Sequence, residues 1–430
     1  MGASKLGAEE EGFAKVDLGP GKRLFLRQSF RFVNQRVDLY WRRPWRPGDS
    51  TRLAMLARLL DRAGGGGAQE RFKRLDWLYG ADLSVEAQLN GGVQMLHLAA
   101  ECLAPPHLDS QEDLLPALLE TIAETLATPQ GGFDAAAVQR EKTSLRQAQA
   151  AEWHDKGAYA YRRCLAEVLG GRAENLSPEG VPNELETING NELDAFWRNW
   201  AAEAEMDAFV SAPGTVPANW VDRLGQITPA HKGLVEPAVS AHGPLKRVSE
   251  TCEAPQSRLV LAYMAGAGGV APEEYPVWAV FNALWGGDGN ARLFRLLREE
   301  HGLCYHVASF IERRPAALMV ECALDGDSFG RATELIEIDL QTLRREGPGA
   351  DEIEAAKQNL AHQLMAVEDS LEGMARFCLQ RQSGSMPLPR AALGQAVERV
   401  DTEALRLFAR RLAVAMVFRL RGSGTVGGER

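Results

Sequence analysis

The feature that most constrains this chain is that it is written twice. Residues 71–88, RFKRLDWLYGADLSVEAQ, and residues 293–310, LFRLLREEHGLCYHVASF, each read as a helix, a glycine (Gly80 or Gly302), and an alternating apolar run. Glycine at such a point lets the backbone turn left-handed and close the helix. Alternation then marks a strand with one buried face. Upstream of each lies another strand-like run, QRVDLYWRRPW or SRLVLAYMAGAG, and downstream a further one, VQMLHLAAECL or AALMVECAL. An amphipathic helix follows in both, LLPALLETIAETLAT or ATELIEIDLQTLRRE; in the latter, Leu335, Ile336, Leu340 and Leu343 share a face. A short break with glycine and an acidic residue then leads to a longer helix. One helix–glycine–strand match is commonplace, but the whole series of elements in the same order points to duplication.

With 430 residues the chain exceeds one ordinary core. The repeat predicts two homologous domains, 1–228 and 249–430, joined by a Pro- and Gly-bearing linker at 229–248. Strands and helices mixed without strict alternation predict an α+β class, each domain a mixed or antiparallel sheet with helices packed on one face.

Composition removes several function classes. A net charge of -10 and a pI near 5.5 leave no basic stripe for nucleic acid. No apolar run approaches a membrane span, and the amino terminus lacks the apolar core of a signal peptide. The six cysteines are scattered without a Cys-x-x-Cys pair, which suits reduced thiols. The expectation is a cytoplasmic protein. Of the eight histidines no two stand at i, i+4, so no helical histidine pair is available to a metal.

The stretches GGDGNARLFRLLREEHGLCYHVASF and GPGADEIEAAKQNLAHQLMAVEDSLEGMARF resemble the carboxy-terminal domain of pitrilysin/insulinase-type zinc metallopeptidases, the branch of the mitochondrial processing peptidase. The likeness covers most of 250–412 and is looser over 20–215. It implies two homologous α+β domains per chain, and pairs of chains that clasp around peptide substrates. In that family the amino-terminal domain carries H-x-x-E-H on its first long helix, with a glutamate from a later helix as third zinc ligand. Here the matching helix reads RLAMLARLLDRAGGGG, placing Arg58, Asp61 and Arg62 at the motif positions, and the third position falls near Ala148. A guanidinium has no lone pair to offer a metal. No metal site is therefore expected in this chain.

The family also uses an Arg and a Tyr seven residues apart in the carboxy-terminal domain to assist the zinc centre, and Arg298 and Tyr305 match that spacing. A phenol aimed at a peptide carbonyl stabilises the charge that grows on it during attack. From the residues alone, Arg298 could equally make surface ion pairs and Tyr305 be an ordinary strand aromatic. The resemblance further marks the glycine-rich loop, with Gly286, Gly287, Gly289 and Asn290, as substrate-binding; Asp288 and Asn290 could instead cap the helix that follows. The four glycines at 64–67 read as a loop over the chamber mouth or a hinge, or as a plain disordered connection. The cluster RRPWRP (42–47) reads as a grip for an acidic partner, or as arginines solvated or stacked on indoles.

These readings converge on a non-metal-binding subunit of a heterodimeric zinc peptidase. Its implied partner is a homologous chain that carries the zinc, and its substrate a peptide. Two alternatives remain: a structural peptidase homologue without catalytic role, and a zinc peptidase with unrecognised ligands.

Overall fold

The computed structural model describes residues 6–423 apart from 64–66, 91–92, 111, 128–131, 171–176, 215, 217–218, 223–244, 267–268, 314 and 385. The chain divides into two units. The first takes residues 1–150, 175–237 and 368–379, and the second takes 151–174, 238–367 and 380–430.

In the first unit the strands are β1 (Leu6–Glu10), β2 (Phe13–Gly19), β3 (Lys22–Gln28), β4 (Asn34–Pro44), β5 (Asp82–Asn90), β6 (Val93–Leu103) and β7 (Glu205–Ala212). They form one sheet ordered β1-β2-β3-β7-β4-β6-β5, antiparallel except where β3 runs beside β7. Helices α1 (Asp49–Ala63), α2 (Ala68–Trp77), α3 (Leu115–Leu126) and α4 (Ala135–His154) belong here, with α6 (Gly190–Glu203). Alternation in β4 sends Val37, Leu39 and Trp41 into a core with Leu53, Leu56 and Leu60 of α1 and Leu118 and Ile122 of α3.

The opposite face of β4 carries charge, and each buried charge meets its opposite. Asp207, fully buried, accepts from Arg23 Nε at 2.6 Å and from Arg42 Nη2 at 2.5 Å. Arg36 grips Asp38 through both its Nε and Nη2 at 2.9 Å, and Asp38 also meets His97 Nε2 at 2.9 Å. Burying a guanidinium is tolerable only against such carboxylates. This corrects the reading of RRPWRP as solvated: Arg42 and Arg43 are buried. Arg43 pairs with Asp49 and Glu203, and stacks on the indole of Trp200 rather than on a neighbouring one.

The second unit holds β8 (Lys246–Cys252), β9 (Ser257–Met264), β10 (Cys304–Glu312), β11 (Ala317–Leu324) and β12 (Ala413–Gly422), ordered β10-β11-β9-β12-β8. Here β12 and β8 form the one parallel pair. The first sheet contains the same order, β5-β6-β4-β7-β3, with its parallel pair in the same place. The duplication read from the sequence is thus present strand for strand, and β1–β2 is an added hairpin.

Helices α7 (Tyr275–Trp285), α8 (Phe329–Glu346) and α9 (Ala350–Ala366) pack on one face of this sheet, and α8 buries Leu335, Ile336, Leu340 and Leu343 as its periodicity predicts. The α+β class is the observed one. One helix adds to the expectation: α5 (Lys156–Val168) covers the other face, setting Ala160 and Cys164 against Val260, Ala262, Met319 and Phe418.

The units therefore do not follow the sequence partition throughout. The segment 151–174 belongs with the second sheet, and 368–379, the start of α10 (Leu371–Gln382), with the first. Of the expected linker, 229–244 lies outside the described residues, as do Gly64, Gly65 and Gly66 of the glycine run; the linker's last residues open β8. Among the described residues no helix is long and apolar enough to cross a membrane.

Candidate functional site

The residues at the zinc-motif positions lie in the last turns of α1, and other partners hold all three. Arg58 donates from Nη1 to Ser144 Oγ at 3.2 Å and from Nη2 to Glu179 Oε2 at 3.0 Å. Arg62 Nη1 stands 3.5 Å from Oε2 of the buried Glu141 on α4. Asp61 Oδ1 accepts the backbone N–H of Val85 at 3.1 Å. Ala148, on the same helix as Glu141 and Ser144, brings no donor atom. These residues do not fit a zinc ion, because guanidiniums occupy two corners and a methyl group the third. Among the described residues, no three or more His, Cys, Asp or Glu gather where a metal could be held.

Arg298 and Tyr305 lie in the second unit, on either side of a helix end. A helical turn at Arg292–Phe294 passes into a π-helical stretch, Arg295–Glu300, whose extra residue per turn shifts the side chains from their α-helical positions. Gly302, with φ +59°, closes it; its N–H donates to Arg298 O, and that of Leu303 to Leu297 O at 2.8 Å. A Cβ at Gly302 would meet no atom within 4 Å, so its backbone angle, not crowding, favours glycine.

β10 begins two residues later, and its register against β11 slips between Cys304 and His306. Tyr305 sits at this bulge, a device that re-aims a side chain, and the residue is 58% exposed.

The three arginines of this helical segment are treated differently. Arg292 binds Asp339 through Nη2 at 2.5 Å and Glu352 through Nη1 at 2.7 Å, while Arg295 binds Glu352 at 2.8 Å. Arg298 is exposed and lies over the Phe294 ring, 4.9 Å from its centroid. Among the described residues its side chain makes no ion pair, and neither it nor the Tyr305 hydroxyl makes a hydrogen bond, to each other or elsewhere. The structure holds both near the start of β10 with their polar tips unused. Burial pushes the neighbouring Cys304 thiol up, against the pull of the Arg298 charge, so this cysteine is no ready nucleophile.

The glycine loop divides by residue. Gly286 is buried, its carbonyl accepts the N–H of Ser309 at 2.7 Å, and a Cβ there would come within 2.8 Å of Ser309 Oγ. Gly287 lies against Ala283, where a Cβ would sit 2.7 Å from its Cα. Close packing accounts for both. Gly289 and Asn290 are exposed, and Gly289 has open space around it. Asp288 and Asn290 do not cap the following helix: Ala291 holds the cap position, and Asp288 Oδ1 instead accepts the N–H of Asn290 at 2.8 Å. Sequence reasoning missed Arg292, Asp339 and Glu352, which fasten this segment. The carboxylates that select Arg292 as the anchor lie 47 and 60 positions away, so no local motif marks them.

Comparison with known proteins agrees with this picture. Residues 187–360 match the family model described as the peptidase M16 inactive domain. The chain is 24% identical over 360 residues to the probable inactive metalloprotease YmfF of Bacillus subtilis, covering 81% of this chain and 83% of that one. Among solved structures, a conserved protein of Enterococcus faecalis superposes with TM-score 0.84 at 21% identity, over 96% of this chain and 99% of its own. A peptidase M16 inactive domain from Pseudomonas fluorescens gives 0.77 at 16% identity, over 97% and 100%. Alongside the duplicated sheets and the metal-incompatible motif, these likenesses make the chain similar to inactive members of the pitrilysin-type (M16) peptidases.

Proposed function

We propose that this chain is the metal-free subunit of a two-chain peptidase, supplying peptide binding and an arginine–tyrosine assist to a homologous partner that holds the zinc. The observation that supports the reading is the contrast among the three arginines. Two are consumed by carboxylates, while Arg298 makes no ion pair among the described residues and stands seven residues before an exposed phenol, each carried on a backbone irregularity. Irregular helical turns and bulges cost stability, and their coincidence at two polar residues suits a site more than a scaffold.

In this role Tyr305 donates its O–H to the carbonyl oxygen of the scissile peptide as negative charge develops there. Arg298 presents paired N–H donors to a neighbouring carbonyl or carboxylate. The open part of the glycine loop, Gly289 and Asn290, contributes to substrate binding. The six cysteines, all free and buried, suit a reducing cytoplasm.

The test is reconstitution. The chain alone is expected to hydrolyse no peptide. Mixed with a homologue that carries H-x-x-E-H, it is expected to form a complex with chelator-sensitive peptidase activity. In that complex Tyr305→Phe lowers turnover by about a hundredfold or more, without loss of assembly. Turnover unchanged in both Tyr305→Phe and Arg298→Ala would remove the assisting role. Chelator-sensitive hydrolysis by the isolated chain would overturn the subunit assignment itself.

A further inference from the structure

Among the described residues β5 is an edge strand of the first sheet, bonded to a neighbouring strand on one side only. Such a strand presents backbone N–H and C=O groups with which another extended chain can pair. In β5 two of these groups are already taken by side chains of the same unit. The N–H of Val85 donates to Asp61 Oδ1 at 3.1 Å, and the carbonyl of Leu83 accepts from Arg71 Nη2 at 3.2 Å. Arg71 is itself fixed, through Nη1 to Leu60 O at 2.9 Å and through Nη2 to Asp61 Oδ1 at 3.4 Å.

Asp61 stands near the end of α1 and Arg71 in α2, so helices hold both arms. A carbonyl and an N–H two residues apart are the pair that a single residue of an added parallel strand would bond. Asp61 and Arg71 thus occupy the place of that residue.

We propose that Asp61 and Arg71 form a seal that closes β5 to strand addition by an extended peptide. Both bonds are charge-assisted, so an incoming amide must displace partners that bind more strongly than water does. The matching edge of the second sheet is closed at one point as well, by the Gly286 carbonyl on the N–H of Ser309 in β10. The seal also gives Asp61, at a position where no metal chemistry is possible, a definite structural purpose. It does not depend on the assisting role of Arg298 and Tyr305.

The experiment uses the full chain and a dye-labelled short peptide of alternating threonine and valine, read by fluorescence anisotropy. The control is the same peptide N-methylated at alternate residues. Arg71→Ala and Asp61→Ala are expected to bind the unmethylated peptide about tenfold or more tighter than the wild type does, and the methylated one no better. Asp61→Asn keeps an oxygen for the Val85 N–H and should stay within about threefold of wild type. Hydrogen exchange at Val85 should quicken about tenfold or more in Asp61→Ala.

The seal is overturned if folded alanine variants bind no tighter than wild type, if their Val85 exchange is unchanged, or if the methylated peptide binds equally well. Should both alanine variants fail to fold, the wild type decides. A Val85 amide protected like the amides of β6 supports the seal, and one that exchanges like an open edge amide refutes it.

Discussion

Arg58 shows how a residue that cannot serve a metal can still be needed. Its guanidinium bridges α1 to Ser144 and Glu179, and the pair is partly shielded from solvent. Arg58→Ala should therefore cost on the order of 1–2 kcal/mol in urea unfolding, since bonds to charged groups exceed neutral ones. Arg298→Ala should by contrast leave unfolding within about 0.5 kcal/mol of wild type, because an exposed side chain without bonds stabilises little. A large loss there would mean that Arg298 is a structural residue. The absence of zinc ligands was legible in the sequence because donor chemistry is a property of each side chain. The new partners were not, since Glu179 lies 121 positions from Arg58.

At the scale of elements, the segment leading into the π-helical stretch is fastened by close-packed glycines and by the carboxylates of Asp339 and Glu352. Gly286→Ala drives a methyl into Ser309 and should destabilise the chain by about 1–3 kcal/mol. Gly289→Ala meets nothing and should not; thermal melts of the two variants make the comparison.

Burial pushes the Glu352 carboxyl up, but the Gly349 N–H and the guanidiniums of Arg292 and Arg295 outweigh it and hold it below its ordinary value. Because the folded value is the lower one, the stabilisation is complete above the ordinary glutamate range. It is lost as pH falls through the depressed value. The stability gap between wild type and Glu352→Gln should accordingly be widest near neutrality and close only in acid. A gap that persists unchanged into strong acid would exclude this linkage. The helix, its glycine stop and the following strand could be read from periodicity and Gly302, whereas the π-helical register and the bulge at Tyr305 could not. Both arise from how the segment fits α8, α9 and β11, and local pattern does not encode that fit.

For the whole molecule, the α+β class and the twofold repetition of elements along the chain were legible in the sequence, whereas the order of strands within each sheet came from the structure. What the sequence also hid is the assignment of two helical segments. An apolar stripe on α5 or α10 states that a face is buried, not which sheet buries it. The expected consequence is that cutting the chain within 229–244 leaves fragments that stay together in native gel filtration. Residues 368–379 complete the first unit, and 151–174 the second. Clean separation into two folded halves would contradict the division.

The same arrangement bears on how the protein is made. The unit begun first cannot close until residue 379 has left the ribosome, by which time all of the other unit except 380–430 has emerged. At roughly 5–20 residues per second, the β4 face that α10 joins waits many seconds for its last helix, which makes this nascent sheet a natural client for a chaperone.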